Sequence, residues 1–375
     1  MTILIAPDKF KGSLTAQQVC DEIKRALLEW NGALNIVTLP MADGGEGSCE
    51  LLTSSSNGKY ITASVHDPLF RNIDARYGIS KDNRTAFLEM ATASGLQLLK
   101  KHERNPMQTT TLGIGELIAH ALDLGVKEII LGIGGSATND AGMGMAEALG
   151  VQFLSTEGER LKPVGENLRY IHTLDLTNVH TKLSTTAFTI FCDVDNPLYG
   201  PRGAAHVFAP QKGANEEMIQ ILDEGLMHYS SLLEKTFGRT VNFPGAGAGG
   251  GLPASLKVLT NLKVVPGMDF IIKFLKLDEH VRHADIVITG EGKVDEQTLS
   301  GKVVSGIARL AKKYDKALFV VAGTCELPEH RLEQLNIRKL ITLTNPNVPE
   351  DYSMKNAAIL LNQRIKEELV QHLTD

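Results

Sequence analysis

At both ends of the chain, short apolar runs break into polar, glycine-containing turns and are then followed by amphipathic helical stretches. This alternation constrains the fold more than any other feature of the sequence, because it is the pattern of a parallel sheet wound with helices. Thr2-Ile3-Leu4-Ile5-Ala6 ends at Pro7-Asp8 and reads as a buried strand. The turn Lys9-Phe10-Lys11-Gly12 follows, with Ser13 as the N-cap or the residue before it. From Thr15 to Trp30, Val19, Ile23, Ala26, Leu27 and Trp30 share one helical face. Ile36-Val37-Thr38-Leu39 is a second strand that runs into Asp43-Gly44-Gly45-Glu46-Gly47 and then a helix over Ser48 to Ser54. The same alternation returns near the other end: strands at Ile286 to Thr289, Ala317 to Val321 and Lys339 to Leu343, a helix over Val303 to Lys313, and a closing helix over Ala357 to Leu373.

The middle reads differently. Tyr60 to Val65, Ile73 to Ile79 and Thr85 to Met90 are strand candidates joined by turns, as in an antiparallel meander. Helices follow over Gly113 to Leu124, Met143 to Leu149 and Glu216 to Phe237, and strands over Glu128 to Ile133 and Phe188 to Phe191. A length of 375 residues suits two domains. The expectation is therefore an α/β protein with one doubly wound parallel sheet built from residues 1–60 and 285–375. A mixed α/β domain, 61–284, is inserted between them, and the site lies in the cleft between the two.

In open parallel sheets, ligands bind beyond the carboxyl ends of the strands, and polar or glycine-rich turns fall at several such positions. Pro7-Asp8-Lys9-Phe10-Lys11-Gly12-Ser13 offers two lysines able to neutralise phosphate or carboxylate oxygens, unless it is only a solvated turn. Asp43-Gly44-Gly45-Glu46-Gly47 precedes a helix whose N-terminus can hold an anion, or it is an ordinary tight turn. Gly132-Ile133-Gly134-Gly135-Ser136-Ala137-Thr138-Asn139-Asp140 sits in the strand–loop–helix context that phosphate loops need. It is neither a Walker A sequence nor a dinucleotide fingerprint, because no Gly-Lys-Ser/Thr closes it and no acidic partner follows about 20 residues on. Phe191-Cys192-Asp193-Val194-Asp195 ends a strand, and alternation sends both carboxylates to one side. Either acid can accept a hydroxyl proton or hold Mg²⁺, or both can be turn acids capping the next segment. Asp193, nearer the strand, is taken as the catalytic residue and Asp195 as a metal ligand. Phe243-Pro244-Gly245-Ala246-Gly247-Ala248-Gly249-Gly250-Gly251 is either a linker or a loop draped over a ligand. Thr289-Gly290-Glu291-Gly292-Lys293-Val294-Asp295 is a further strand end with two acids. It adds Gly290, Glu291 and Gly292 to the binding residues and Asp295 to the metal ligands.

Other classes are disfavoured. The net charge is −6 and there is no basic block, against a nucleic-acid partner. No apolar run approaches the ~18 residues of a membrane span. The four cysteines fit no zinc or redox spacing, and the eleven histidines form no zinc motif. Scattered thiols and the lack of a signal-peptide pattern lead to the expectation of a cytoplasmic protein.

Read together, Ile5-Ala6-Pro7-Asp8-Lys9-Phe10-Lys11, Pro40-Met41-Ala42-Asp43-Gly44-Gly45-Glu46-Gly47, the run from Gly132 to Asp140 and Thr289-Gly290-Glu291-Gly292 resemble the bacterial type-1 glycerate kinase family. Thr109-Thr110-Thr111 with Gly113 and Gly115, and Ala209-Pro210-Gln211-Lys212-Gly213, belong to the same resemblance, which spans Ile3 to about Gly323. The resemblance implies a two-domain architecture with a flavodoxin-like or Rossmann-like domain, ATP as donor, D-glycerate as acceptor and 2- or 3-phosphoglycerate as product. It also implies a place in glyoxylate or glucarate breakdown. The residue roles are inferred from position: Asp193, Lys9, Lys11 and Asp8 catalytic, with Asp43, Gly44, Gly45, Glu46, Gly134, Gly135, Ser136, Thr138, Asn139 and Asp140 binding substrate or phosphate. A monomer or homodimer is expected, and a kinase of another small hydroxy acid is the alternative.

Overall fold

The structure is a computed structural model that describes residues 1–42, 47–300, 302–344 and 350–374. The chain divides into two units, one of residues 1–43 and 268–375 and one of residues 44–267. In chain order the strands are β1 (Thr2–Ile5), β2 (Asn35–Thr38), β3 (Lys59–His66), β4 (Asn72–Ile79), β5 (Thr85–Glu89), β6 (Glu128–Gly132), β7 (Gln152–Leu154), β8 (Thr173–Asp175), β9 (Ala187–Phe191), β10 (Asn261–Val265), β11 (Ile286–Val294), β12 (Ala317–Cys325) and β13 (Lys339–Thr342).

The first unit is a wholly parallel sheet in the order β13-β12-β11-β1-β2. This is the flavodoxin-like order, in which the chain reverses direction across the sheet at the β1–β11 pair. Burial explains the apolar runs: Ile3, Ile5, Ile288, Phe319 and Val321 are fully buried in one core with Val19, Ile23 and Leu27 of helix α1 (Ala16–Trp30). The cap of α1 is Thr15 and not Ser13. The Thr15 hydroxyl accepts from the Gln18 amide at 3.2 Å and the Gln18 side chain accepts from the Thr15 amide at 2.9 Å, a reciprocal capping box. Ser13 instead donates to the Met354 carbonyl. The closing helix is not continuous: α-helix over Ala357–Arg364 gives way to a π-helical turn over Ile365–Leu369 before Gln371–Thr374.

The second unit holds a six-stranded sheet in the order β10-β9-β6-β5-β4-β3. The meander is antiparallel through β3, β4 and β5, and β5, β6, β9 and β10 run parallel. One core packs Ile129, Leu131 and Phe188 against helix Leu112–Asp123, and another gathers around helix Glu216–Phe237.

The unit boundaries, 43/44 and 267/268, lie earlier than the expected 60 and 285. Packing supplies the reason. Helix α2 (Ser48–Ser55) lies on the second unit's sheet, where Thr53 occupies the space a side chain at Gly78 would need and the Cys49 thiol donates to the Phe87 carbonyl at 3.0 Å. Residues after 267 turn to the first unit, where Met268 packs on Gly306, and Asp269 and Asp278 pair with Arg309 and Lys313 at 2.6 and 2.7 Å.

Candidate active site

In the second unit the glycine loop leaves β6 in the middle of the parallel strands, between β5 and β9. Gly134 and Gly135 are exposed, and Gly135 takes φ +70°, a left-handed conformation natural to glycine. The loop is tied at its rim, where Leu96 donates to the Gly135 carbonyl at 2.8 Å and Ala137 to the Ser94 carbonyl at 2.9 Å. The amides of Gly134, Gly135 and Ser136 donate to no acceptor among the described residues. Unengaged amides on an exposed turn after a parallel strand are suited to an anion.

Beneath this rim the loop is closed. Thr138, Asn139 and Asp140 are fully buried. Asp140 accepts from the Thr111 amide and hydroxyl at 2.8 and 2.7 Å, and from the Gly144 and Gly142 amides at 3.1 and 3.3 Å. Burial pushes its carboxyl above the usual range and these donors pull it back. Asp140 thus pins the loop to the start of helix Met143–Ala148 and does not reach the rim. The hydroxyl of Thr138 and both ends of the Asn139 amide are buried without a hydrogen-bond partner among the described residues.

The second glycine run, Phe243 to Gly251, is close-packed and not a free linker. It packs on the first loop: Gly250 accepts from the Ala141 amide at 3.0 Å, and a Cβ on Gly250 would stand 2.0 Å from the Thr138 carbonyl oxygen. Gly250 itself sits at φ +71°.

Two residues of this region were not singled out from sequence. Lys212 appears there only within a family motif. It is 2% exposed, and its ammonium donates to the Ser136 hydroxyl and the Thr138 carbonyl, both at 2.7 Å. Burial lowers its pKa to about 7, against the opposing pull of Asp140. The available signal was its isolation, since between Gly203 and Asn215 the sequence has no Asp, Glu, Lys or Arg other than Lys212. Glu89 ends β5 opposite Gly132 of β6 and is largely buried, and its carboxylate accepts from the Cys49 amide at 2.6 Å. The first turn of α2, expected as an anion site, therefore already carries a carboxylate of the protein. A single acid at the end of the apolar run Ala86-Phe87-Leu88 was the available signal.

In the first unit Asp8, Lys9 and Lys11 follow β1, and Glu291 and Gly292 lie beside them in β11, at the reversal point of the strand order. Thr289 to Val294 was read as a strand end, but β11 continues through Val294, pairing with β12 as far as Cys325. The extension supports the lysine loop. The Asp8 amide donates to the Gly290 carbonyl at 2.8 Å, and a Cβ at Gly292 would stand 3.1 Å from the Lys11 amide nitrogen. Asp8 accepts from the Lys9 amide at 2.7 Å. Lys11 is exposed and makes no ion pair among the described residues. Glu291 is buried and accepts from the Thr298 hydroxyl at 2.5 Å, while Asp295 accepts from the Gln297 amide at 2.8 Å.

Asp193 and Asp195 are exposed and lie beyond β9, which ends at Phe191, so strand alternation does not set their directions. Asp193 accepts from the Gly267 amide at 2.7 Å, at the start of helix Gly267–Phe274. Both oxygens of Asp195 face Arg202, at 2.9 and 3.0 Å. Among the described residues no group of three or more His, Cys, Asp or Glu side chains is placed to hold a metal. Asp43, Gly44, Gly45 and Glu46 lie outside the described residues. No helix among the described residues is long and apolar enough to cross a membrane.

Comparison with known proteins agrees across the whole chain. Residues 3–373 match the model of the glycerate kinase family. A glycerate kinase of Halalkalibacterium halodurans is 41% identical over 363 residues, 96% of each chain. A glycerate 2-kinase of Escherichia coli is 42% identical over 325 residues, 86% of this chain and 85% of its own. The crystal structure of a protein named as glycerate kinase 2 from Salmonella typhimurium LT2 superposes with a TM-score of 0.88 at 38% identity, covering 100% of this chain and 98% of that one.

Proposed function

The chain belongs to the glycerate kinase family of enzymes, and on that premise we propose that it transfers the γ-phosphoryl group of ATP to D-glycerate. Kinases of this family use ATP; the acceptor, the Mg²⁺ requirement and the product are the proposal. The Escherichia coli relative is named a 2-kinase, which supports the C2 hydroxyl as nucleophile and 2-phosphoglycerate as product. One observation carries the reading: exposed, unengaged amides at Gly134-Gly135 directly after a parallel strand, which suit an anionic oxygen.

The reading gives the glycine loop an anion-binding role and the lysine-and-acid loop a charge-neutralising one. Lys9 and Lys11 neutralise substrate anion, and a carboxylate accepts the hydroxyl proton. Asp193 is proposed for that role. Mg²⁺ takes one or two carboxylates along with phosphate oxygens and waters. Asp295 fits this better than Asp195, because the Asp195 carboxylate is already engaged by Arg202. When bound, the metal would neutralise charge on the transferring phosphoryl group. A cytoplasmic location and small-molecule substrates without a nucleic-acid partner belong to the same proposal.

The test is a coupled assay with ³¹P detection on ATP, Mg²⁺ and D-glycerate, with other small hydroxy acids as alternative acceptors. Formation of 2-phosphoglycerate, abolished by chelation, is expected. No product from glycerate, or faster turnover of another acid, overturns the reading. Asp193→Asn keeps an oxygen for the Gly267 amide and removes the charge, so a large fall in kcat with unchanged stability is expected. Activity within a few fold would move the proton acceptor elsewhere.

A further inference from the structure

The buried ammonium beneath the glycine loop is hard to explain as a structural tie. Taking a lysine out of water costs several kcal/mol in real proteins, and an apolar replacement is often no less stable. Two hydrogen bonds to neutral oxygens do not offset that cost well. Yet the position is rigidly built. Lys212 ends a short 3₁₀ turn from Pro210, and the next residue, Gly213, lies against the Arg104 backbone, where a Cβ would stand 2.3 Å from the Arg104 carbonyl oxygen.

What the ammonium touches suggests its use. Lys212 donates to the Ser136 oxygen, which leaves the Ser136 hydroxyl hydrogen to donate elsewhere, and Ser136 has no other partner among the described residues. Ser136 is 9% exposed and adjoins the exposed Gly134-Gly135 turn with its unengaged amides. A hydroxyl that accepts from a cation is polarised and becomes a stronger donor on its other side. In so dry a setting a unit charge acts at longer range than it would in water.

We propose that Lys212 is a positioning and charge-supplying residue that acts through the Ser136 hydroxyl on an anionic oxygen bound at the Gly134-Gly135 turn. The oxygen belongs to a nucleotide phosphate or to the glycerate carboxylate, and the proposal rests on the kinase reading above. The charged group that acts on the ammonium is Asp140 in the loop, which also interacts with Tyr229 of helix Glu216–Phe237, a phenol pushed up by burial. The ammonium is charged below pH 7 and neutral well above it, given its lowered pKa of about 7. An anion bound nearby favours the charged form, so binding should take up a proton, and affinity should weaken as pH rises from 7 to 9.

The KM values for ATP and for D-glycerate are measured from pH 6 to 9 in the wild type, Lys212→Met, Lys212→Arg and Ser136→Ala. Lys212→Met should raise one of the two KM values ~10-fold or more at pH 6.5, and Ser136→Ala should raise the same one by about 3-fold or more. The KM that responds identifies the source of the oxygen. Lys212→Arg stays charged and shares every titration of the substrates, so its KM should lack the rise that the wild type shows above pH 7. Unchanged KM values in Lys212→Met, or parallel pH profiles in wild type and Lys212→Arg, overturn the inference. Should Lys212→Met or Lys212→Arg fail to fold, wild-type protein with ¹³Cε-labelled lysine decides. One lysine should titrate near pH 7, and its midpoint should rise by ~1 unit or more with the ligand that Ser136→Ala affects. A midpoint that neither ATP nor glycerate moves overturns it. A wild type that phosphorylates no glycerate refutes the kinase reading instead, since that result does not depend on Lys212.

Discussion

The two units each place a polar loop at the carboxyl end of a parallel strand, yet they hold it in opposite ways. The glycine loop of residues 44–267 is braced from beneath by a closed shell: Asp140 with its four donors, Lys212 with its two acceptors, and the backbone of Gly250 pressed against Thr138. The lysine loop of the other unit has an exposed Lys11 and rests on an extension of β11, with ordinary strand hydrogen bonds and the close approach of Gly292. Under the proposed kinase reading, the first arrangement fixes amides in place for an anion and the second keeps a cation on a flexible stem.

The largest effect is expected where the shell is tightest. Gly250→Ala puts a Cβ 2.0 Å from the Thr138 carbonyl oxygen and 3.0 Å from the Asn139 Cα, at φ +71°. Both obstacles are backbone, and the backbone conformation itself resists a side chain. A loss of more than about 3 kcal/mol of stability is expected, read by denaturant unfolding. Near wild-type stability would mean that the loop yields and is not fixed in advance.

Charge removal at the other loop should act on turnover. Lys9→Met and Lys11→Met are each expected to lower kcat/KM by ~100-fold, about 2.7 kcal/mol of transition-state stabilisation, and for the exposed Lys11 the thermal midpoint should not move. Normal kinetics in both variants would take the anion clamp away from this loop. A large fall in thermal midpoint would show that the lysines are structural and erase the contrast.

Much of this contrast was legible in the sequence, and the illegible part has a common cause. Alternating apolar runs and helical periods located both sheets because burial imposes those periods directly. The glycine run at Gly132 to Asp140 was legible as a loop after a strand. It could not be divided into an exposed rim at Gly134-Gly135 and a buried base at Thr138 to Asp140, because that division is made by residues distant in sequence: Lys212, Gly250 and Thr111. The run at Phe243 to Gly251 left a linker and a ligand drape open: an Ala and Gly composition favours close packing but does not say which backbone occupies the space. Alternation could not fix the directions of Asp193 and Asp195, because it holds only within a strand and β9 ends two residues before Asp193. The unit boundary near 43/44 was missed because α2 follows β2 as a crossover helix would, while its contacts, through Cys49 and Thr53, are with β4 and β5.

A smaller effect is expected at Glu89, which joins the first turn of α2 to the strand beside the glycine loop. Glu89→Gln keeps an oxygen for the Cys49 amide and removes the charge that favours a helix N-terminus. A loss of about 1 kcal/mol is expected, seen as a shift of a few degrees in the thermal midpoint. Glu89→Ala, which also leaves the Cys49 amide without its acceptor, should cost more. Equal effects of the two substitutions would show that only the charge matters at this position.

The smallest effect should come from Gly292, which lies against the lysine loop. A Cβ at Gly292 would stand 3.1 Å from the Lys11 amide nitrogen and 3.2 Å from the Phe10 Cα, and Gly292 does not occupy the left-handed region. No backbone strain opposes the side chain there, and the neighbour need give way by only a few tenths of an ångström. The displaced atoms belong to a turn whose next residues, Lys11 and Gly12, are exposed, so the turn has room to move. Gly292→Ala is therefore expected to cost less than about 1 kcal/mol in stability. The shift is delivered to Lys11, so kcat/KM should fall by about 2- to 5-fold with folding intact. Measured beside Gly250→Ala, this variant compares one added methyl group at each loop. Should Gly292→Ala destabilise the protein as much as Gly250→Ala, the lysine loop is held as rigidly as the glycine loop, and the distinction between a fixed amide site and an adaptable cation site fails.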